Sequence, residues 1–364
     1  MNYNNIKNIG ILCSGVPLFN HITYYQNLID ILSYSNITFF GDIWFKNNLK
    51  PIKRITFVNK KSELSNKDFY SSIVLQLNKL DAIIIDENIG NHLTFLKFIR
   101  KVKVKKYFTV HNINHWFNPK LKINTLHSLL IRKVILMKMD CFIVISPNLK
   151  TYLKNFTLKP VFFIPFLALN MKSRKKSKNN KTIFSIPGSY DKRKRDYKIV
   201  LKAFFEALKI NPKIKLYLLG KFPDNFKYLS LINEINNVFP DSIKIWHDYI
   251  LPKEYDKLLA NSDFFIGNMK PNLIDENFNE IYGKSKETGV FFLAINYRKK
   301  TIIPKSYKLH HSLSVFFQFY SSKRELVNLF TSIKKPSLTE KDLIEYKEIV
   351  NVSKKHFLSS LLDA

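Results

Sequence analysis

The chain has 364 residues, which is more than one ordinary domain holds and enough for two hydrophobic cores. Its 31 Phe, 18 Tyr and 3 Trp exclude disorder as the main state, and 9 Gly with 14 Pro exclude a collagen-like or linker composition. The formal net charge of +31 indicates an anionic partner, such as nucleic acid, an anionic bilayer or a phosphorylated substrate.

Short β-branched or aromatic runs alternate with helical patterns along the whole chain. In the first half the predicted strands are Ile9–Cys13, Thr38–Trp44, Ile55–Val58, Ala82–Asp86, Tyr107–Val110, Cys141–Ile145 and Val161–Ile164. Helical periodicity covers Phe69–Leu80 and Leu126–Met139. Nearly continuous apolar strands that alternate with helices are typical of a parallel sheet covered on both faces.

Residues 169–181 interrupt this alternation, and we interpret them as a basic linker because they are polar and lack periodicity. The pattern then resumes with predicted strands at Thr182–Ile186, Ile214–Leu219, Ile243–Trp246, Phe264–Ile266 and Thr301–Ile303. The predicted helices are Lys194–Leu208, Asn225–Val238, Lys253–Ala260 and Lys286–Tyr297. Residues 337–364 are predicted to form two helices, opened by Ser337 or Thr339.

These elements predict an α/β protein with two doubly wound, Rossmann-like domains, at residues 1–168 and 182–336. Domains of this kind bind ligands at the carboxyl ends of their strands. We therefore expect an active site where the two domains face each other across a cleft. The helical segment 337–364 is expected to cross back to the first domain.

The two cysteines, Cys13 and Cys141, each lie in an apolar run. They are too few for a disulfide framework or a zinc site, so we predict two buried thiols. No apolar run reaches the ~18–20 residues that a membrane-spanning helix needs, and the first residues do not have the pattern of a signal peptide. We therefore expect a cytoplasmic location, with peripheral docking on the cytoplasmic face of a membrane.

The basic residues are concentrated in one part of the chain. Between Glu87 and Asp191 the single acidic residue is Asp140, whereas 20 Lys and Arg fall in that window. Since 8 of the 59 basic residues are Arg, an AT-rich coding sequence would also account for much of the excess, and both origins stay open. Sequence-specific nucleic-acid binding relies on Arg forks that read base edges and on recognisable modules, and the sequence shows neither pattern.

An anionic membrane surface is the partner that this charge distribution favours, because lipid headgroups need only point charges. The predicted helix Leu126–Met139 carries Arg132, Lys133 and Lys138 and is the candidate for lipid contact. A helix that faces the core of the sheet is the alternative.

The segment Ile186–Phe204 has the features of an anion site. A predicted strand ends at Gly188, a loop with the sequence KRKR follows, and a helix begins near Asp196. A glycine turn, fixed cations and a helix amino terminus together bind phosphate. A solvated basic loop is the alternative.

A second candidate segment is Asn279–Pro304. Glu280 precedes a turn at Gly283, and Thr288 with Gly289 opens a helix that is apolar on one face. The unpaired amides at such a helix start can bind phosphate oxygens. Glu280 can accept hydrogen bonds from sugar hydroxyls; the alternative is a capped loop in which Glu280 is a surface acid.

A third candidate is the loop after the strand at Tyr107–Val110. His111 comes at the carboxyl end of that strand, and Asn112, Asn114 and His115 follow. A single histidine is more often structural, but this number of polar side chains at a strand end favours a functional site.

In their order and spacing these segments resemble the GT-B nucleotide-sugar glycosyltransferases, in particular the retaining branch with a Glu-x-Phe/Tyr-Gly turn, known from bacterial surface-glycan synthesis. In the first half the segments are ILCSGVPLFNH, TVHNINHW and ISPNLKTYL with VFFIPF. In the second half they are PGSYDKRKRDYKIVLKAF, KIKLYLLG, HDYILPKEYDKLLANSDFFIG and EIYGKSKETG with AINYRKKTIIP. The resemblance covers nearly the whole chain.

The resemblance implies that the second domain binds a nucleotide-sugar donor and the first binds the acceptor. The implied catalytic residues are His111, Glu280 and Arg195. The implied donor-binding residues are Gly188, Ser189, Arg193, Arg195, Glu280, Tyr282, Gly283, Glu287, Thr288 and Gly289. The implied residues on the acceptor side are Gly15, Asn112 and His115.

Two positions depart from the family pattern. Ser189 takes the place of a family Arg, so that Arg193 or Lys192 is expected to supply the missing charge. The second Glu of the family, a ribose contact, falls at Thr288, and Glu287 lies one residue early.

The implied reaction transfers a sugar from a nucleoside diphosphate to a glycan or lipid-linked acceptor through an oxocarbenium-like transition state. Arg195, in place of the family Lys, and the Thr288–Gly289 amides would stabilise the leaving diphosphate. No metal and no cofactor is expected, in agreement with the lack of an Asp-x-Asp triplet. Domain closure would exclude water and suppress hydrolysis of the donor.

Two other functions stay open. A nucleotide-sugar epimerase of the same fold would need acid–base carboxylates in the cleft and no acceptor. A non-catalytic protein that binds anions or nucleic acid would show steeply salt-dependent binding and no affinity for nucleotide sugars.

Overall fold

The structure, a computed structural model, describes residues 7–15, 22–50, 54–120, 126–165, 181–275, 277–332, 338–339 and 341–363. These residues form two compact units. The first takes the described residues within Met1–Ala168, Asp275–Glu280 and Lys347–Ala364, and the second takes those within Leu169–Ile274 and Ile281–Tyr346. Most of the predicted linker, residues 169–180, lies outside the described residues.

The first unit is built on a parallel sheet with helices between its strands. The strands are β1 (Asn8–Cys13), β2 (Asn36–Asp42), β3 (Ile55–Lys60), β4 (Ala82–Asp86), β5 (Lys105–Thr109), β6 (Cys141–Val144) and β7 (Val161–Phe163). The helices are α1 (Ile22–Ile31), α2 (Ile43–Asn48), α3 (Asn66–Leu77), α4 (His92–Ile99), α5 (Ile113–Phe117), α6 (Leu126–Lys138) and α7 (Pro147–Leu153). In space the strands follow the order β3-β2-β1-β4-β5-β6-β7. Strands β4 and β6 are buried along their whole length, as expected when helices cover both faces.

The second unit repeats this architecture. Its strands are β8 (Thr182–Pro187), β9 (Ile214–Lys221), β10 (Ile243–Trp246), β11 (Phe264–Ile266), β14 (Lys300–Pro304) and β15 (Phe317–Tyr320), and the short strand β12 (Asn272–Ile274) follows β11. The next short strand, β13 (Asn279–Ile281), has its first two residues in the first unit and its last in the second. The helices are α8 (Tyr197–Ile210), α9 (Leu229–Val238), α10 (Pro252–Asn261), α11 (Gly289–Tyr297) and α12 (Lys323–Ser332). The parallel sheet has the order β10-β9-β8-β11-β14-β15. The predicted α/β class with two doubly wound sheets is therefore confirmed.

The carboxyl-terminal helix α13 (Ile344–Leu362) returns to the first unit, which contains its residues from Lys347 onward. The hydroxyl of Tyr107 on β5 donates to the Ser360 carbonyl at 2.8 Å, and the Phe163 amide on β7 donates to Ser353 Oγ at 2.9 Å. The expected crossing is confirmed, but the described residues form one long helix after a 3₁₀ turn at Lys341–Leu343, instead of two helices.

The predicted strand Thr38–Trp44 is wrong at its carboxyl end. Strand β2 ends at Asp42, whose carboxylate accepts the amide of Trp44 at 2.8 Å and caps α2. The apolar side chains of Ile43 and Trp44 continue the strand pattern in sequence, but the cap turns the backbone into a helix.

Both cysteines are buried free thiols, as predicted. Burial raises the pKa of Cys13, and the nearby Asp86 carboxylate raises it further. Neither sulfur therefore ionises readily. No helix in the described ranges is both long enough and apolar enough to cross a bilayer.

Candidate functional site

In the first unit, polar side chains collect at the carboxyl ends of β4 and β5. Asp86, the last residue of β4, is buried, and its Oδ2 accepts the Tyr25 hydroxyl at 2.8 Å. The same oxygen lies 3.4 Å from Nε2 of His111, a residue that is 8% exposed. The edge of the imidazole packs against Tyr24, with the ring centroids 5.7 Å apart. The carboxylate and the aromatic ring together fix the orientation of His111.

Glu87, the next residue along the chain, holds the loop that carries His111. One carboxylate oxygen accepts the amides of His111 and Asn112 at 3.0 and 3.3 Å, and the other accepts the Asn112 side-chain amide at 2.5 Å. These charge-assisted bonds fix the start of α5. Sequence reasoning missed Asp86 and Glu87 as site residues, although an acidic pair at the carboxyl end of a buried strand is a recognisable signal.

Glu280 belongs to the first unit and is fully buried, at 0% exposure. Its Oε1 accepts the amide of His115 at 2.8 Å. Beside it, the Asn114 side chain donates to the Asn279 carbonyl at 2.6 Å, and the His115 ring packs edge-on against Phe278 at 4.9 Å. The interpretation of Glu280 as a surface acid is therefore wrong. Helix α5 connects the His111 loop to Glu280.

Arg132 does not contact lipid, which corrects the expectation from the sequence. It is 4% exposed, and its Nη1 donates to the carbonyl of His115. Burial lowers the pKa of its guanidinium below the usual range. Its neighbours Lys133 and Lys138 on α6 are exposed. The alternative of a helix facing the core thus holds for one side of α6, and its other side faces solvent.

Gly15 follows β1 at the same edge of the sheet. A Cβ at this position would lie 2.1 Å from Cγ of Asn88, in the loop after β4. The lack of a side chain lets the loops after these neighbouring strands approach each other. Gly15 therefore lies at the end of the sheet that also carries His111.

In the second unit, the predicted anion loop follows β8. Gly188 has a φ of +96°, and a Cβ there would lie 2.6 Å from Nη2 of Arg195. Arg195 donates from Nη2 to the Pro187 carbonyl at 2.6 Å and from Nη1 to Oδ1 of Asn268 at 3.2 Å. A guanidinium has five N–H donors, so these two bonds fix it and leave donors for a ligand. A cation is thus held at the carboxyl end of β8.

Helix α8 begins where the sequence indicates. Asp196 is its N-cap, and the carboxylate accepts the amides of the second and third residues of the helix. Ser189 is exposed. The Arg193 side chain is 67% exposed and lies 3.5 Å from the Asp191 carboxylate. The role of Arg193 as a second phosphate cation stays a prediction.

Residues 268–271 connect the anion loop to the turn before α11. The amide of Lys270 donates to the Lys194 carbonyl at 2.8 Å, and the Pro271 carbonyl accepts the amide of Tyr282 at 3.3 Å. Both candidate segments of the second unit therefore contact the same four residues. Tyr282 itself is buried, at 4% exposure.

The turn before α11 needs glycine at position 283. Gly283 has a φ of +75°, and a Cβ there would lie 2.0 Å from the Lys308 carbonyl oxygen. Glu287 is 7% exposed, and its Oε1 accepts the amide of Thr288 at 3.0 Å and the hydroxyl of Tyr307. Glu287 therefore holds the start of α11.

Thr288 is the N-cap of α11, and its side chain makes no capping hydrogen bond. Gly289 is the first helical residue, and apart from its chain neighbours and the backbone of its own helix, no described heavy atom lies within 4 Å of the position that a Cβ would take there. Both amides are thus placed at an approachable helix start. In the described ranges, no group of three or more His, Cys, Asp or Glu side chains is arranged to hold a metal ion.

No protein-family model and no curated protein matches this sequence. Solved structures match over the whole chain. Anabaena HepE in complex with UDP and glucose has a TM-score of 0.57 and 14% identity, over 99% of this chain and 100% of that one. A UDP-forming α,α-trehalose-phosphate synthase of Burkholderia vietnamiensis has a TM-score of 0.63 and 9% identity, over 100% of both chains.

An Escherichia coli trehalose-6-phosphate structure with UDP-2-fluoro glucose bound has a TM-score of 0.54 and 12% identity, over 97% of this chain and 98% of that one. These neighbours are GT-B proteins. The chain therefore has the GT-B fold.

Proposed function

We propose that the protein is a glycosyltransferase that transfers a sugar from a nucleotide-diphosphate sugar to a glycan or lipid-linked acceptor, in the synthesis of a surface polysaccharide. The observation that carries this proposal is the Arg195 guanidinium, held by Pro187 and Asn268 beside Gly188 at the end of β8. A fixed guanidinium at a glycine turn suits a diphosphate. Structural neighbours with UDP or a UDP-sugar bound share the fold.

Each part of the candidate site has a role in this reaction. Arg195 and the amides of Thr288 and Gly289 stabilise the charge that develops on the leaving diphosphate, in place of a metal ion. Glu280 accepts hydrogen bonds from the hydroxyls of the transferred sugar. His111, oriented by Asp86, contacts the sugar near the reacting carbon.

A panel of UDP-, GDP- and dTDP-sugars tests the proposal, with donor consumption followed by mass spectrometry. We expect one donor to be consumed at a rate that depends on an added glycan or lipid-linked acceptor and persists in EDTA. Isomerisation of the sugar without an acceptor would instead identify an epimerase. If no donor is consumed and the protein binds nucleic acid with an affinity that falls steeply as the salt concentration rises, the proposed enzymatic activity is refuted.

We further propose that the first unit docks on an anionic membrane surface. The neighbouring helices α4 and α6 expose the apolar side chains Leu93, Leu126, Leu130 and Met137. Lys97 and Lys133 lie exposed on the same helices. No acidic residue occurs between Glu87 and Asp140. A surface with apolar and cationic side chains suits acidic headgroups above an acyl layer.

A further inference from the structure

Arg132 is a buried cation behind the residues that hold Glu280. It lies on α6 and is 4% exposed. Among the described residues it forms no ion pair within 4 Å, and its Nε is buried without an acceptor. Burying a cation is unfavourable unless hydrogen bonds and opposite charge compensate it. The hydrogen bond from this guanidinium to the His115 carbonyl therefore offsets part of the cost of burying the charge.

The backbone of His115 makes two hydrogen bonds with charged side chains, one through its carbonyl and one through its amide. Its carbonyl accepts Nη1 of Arg132, and its amide donates to Oε1 of Glu280 at 2.8 Å. A single residue thus connects a buried cation to a buried carboxylate. Hydrogen bonds to charged groups are the stronger ones, and linked bonds in a low dielectric reinforce each other.

Helix α5 is held separately at its two ends. At its start, Glu87 accepts the amides of His111 and Asn112 at 3.0 and 3.3 Å. Toward its end, Arg132 holds the carbonyl of His115. Loss of Arg132 therefore removes one of the hydrogen bonds that hold the part of α5 next to Glu280 and leaves the bonds at the His111 end in place.

We propose that Arg132 is a positioning residue for Glu280, which acts through His115 and fixes the carboxylate for the transferred sugar. The inference rests on the proposed function of Glu280. It predicts a specific kinetic result, because displacement of a sugar-binding group by about 1 Å can reduce turnover about 100-fold. The contacts of Arg195 are in the second unit, so affinity for the free nucleoside diphosphate should stay unchanged.

The variant Arg132→Met keeps the length of the side chain and removes its donors. We expect kcat to fall about 10-fold to 100-fold with the donor identified by the panel, at an unchanged Kd for its nucleoside diphosphate. Arg132→Lys keeps a donor toward the His115 carbonyl and should recover part of this loss. Lys355→Met is the control, since Lys355 is an exposed lysine on α13 of the same unit, outside the candidate site and the proposed membrane surface. In a Glu280→Gln background, Arg132→Met should cause little further loss, since the charged acceptor that Arg132 positions has already been replaced by a neutral amide.

Hydrogen exchange gives a measurement that does not depend on turnover. Peptides that cover residues 111–117 should exchange faster in Arg132→Met than in the wild-type protein or in Lys355→Met. If Arg132→Met fails to fold, Arg132→Gln, which also removes the charge, should show the same changes. Wild-type kcat in a folded variant, unchanged exchange, or full additivity with Glu280→Gln would overturn the proposal. If the wild-type protein transfers no sugar from any donor, the proposed function fails, and the exchange experiment still decides whether Arg132 holds α5.

Discussion

The hydroxyl of Tyr307 donates a hydrogen bond to the buried carboxylate of Glu287, and the same oxygen accepts the amide of Thr288 at 3.0 Å. These two hydrogen bonds hold the Glu287 carboxylate at the start of α11. A carboxylate held in this way supports the helix end whose amides we assign to the diphosphate. The fold brings Tyr307 to Glu287, because Tyr307 lies in the loop after β14. The backbone of Lys308, in the same loop, lies against Gly283 in the turn before α11.

Removal of the Tyr307 hydroxyl tests whether this hydrogen bond to Glu287 stabilises the start of α11. Tyr307→Phe leaves a buried carboxylate one hydrogen bond short, which should lower the free energy of unfolding by about 1–3 kcal/mol. Urea unfolding followed by circular dichroism measures the change. Tyr34→Phe, at a residue that is 59% exposed, is the control and should unfold like the wild-type protein. Equal midpoints for the two variants would contradict the role given to Tyr307.

The sequence predicted the strands well where burial on both faces makes them uniformly apolar. Ala82–Asp86 and Phe264–Ile266 have the bounds that their apolar runs indicate, and both are buried along their whole length. Strand β15, at the edge of the second sheet, was missed. It has half-exposed and exposed positions, and its apolar run is short.

The candidate site was predictable only where local chemistry marks it. Gly188 and Asp196 are a turn residue and a helix cap, and both follow from local sequence. The hydrogen bond between His115 and Glu280 joins residues 165 positions apart, so no local sequence pattern predicts it. The same holds for the burial of Arg132, because α6 exposes its other cations and only tertiary packing decides which one faces inward.

Loss of the Arg195 guanidinium should abolish most turnover. Removal of one fixed donor to a developing anion costs about 100-fold to 1,000-fold in kcat, and Arg195→Ala is expected to fall in this range. Arg324→Ala is the matched control, since Arg324 is an exposed guanidinium on α12 in the same unit. Steady-state transfer rates and circular dichroism separate a catalytic defect from misfolding. Similar rates for the two variants would remove the main support for the proposed function.

Gly283→Ala tests the turn before α11 independently of any substrate. A residue with a Cβ in the left-handed region costs about 1–2 kcal/mol, and the contact with the Lys308 carbonyl adds to this cost. We expect a lower melting temperature in a thermal scan. Gly289→Ala is the comparison, because apart from its chain neighbours and the backbone of its own helix, no described heavy atom lies within 4 Å of its Cβ position, and it should melt close to the wild-type temperature. A reversed order of the two melting temperatures would refute this explanation.

The exposed surface of α4 and α6 predicts lipid-dependent binding. Each Lys near an anionic membrane contributes about 1 kcal/mol, so Lys97→Glu and Lys133→Glu should each weaken binding several-fold. Sedimentation with vesicles that contain phosphatidylserine measures the effect, and vesicles of phosphatidylcholine alone should bind little protein. Lys202→Glu, at an exposed lysine on α8 of the second unit, is the charge-matched control. Equal effects of all three variants would show that net charge, rather than this surface, governs binding.

His92, at the start of α4, makes the stability of the fold depend on pH. Burial lowers the pKa of His92 to about 4, and the Arg132 cation contributes to the shift. In the unfolded chain a histidine has a pKa of about 6.5, so below that value the unfolded state binds the proton more readily than the folded state. His92 therefore adds stability that is complete above about pH 6.5 and is lost as the pH falls toward 4.

His92→Gln should accordingly lose less stability than the wild-type protein between pH 7 and pH 4.5, as measured by urea unfolding at several pH values. His127→Gln, at an exposed histidine on α6, should follow the wild-type curve. In Arg132→Met, an NMR titration should show a higher pKa for His92, because one of the two causes of the shift is removed. An equal or steeper acid loss in His92→Gln would show that protonation of His92 is not what lowers the stability of the fold at acid pH.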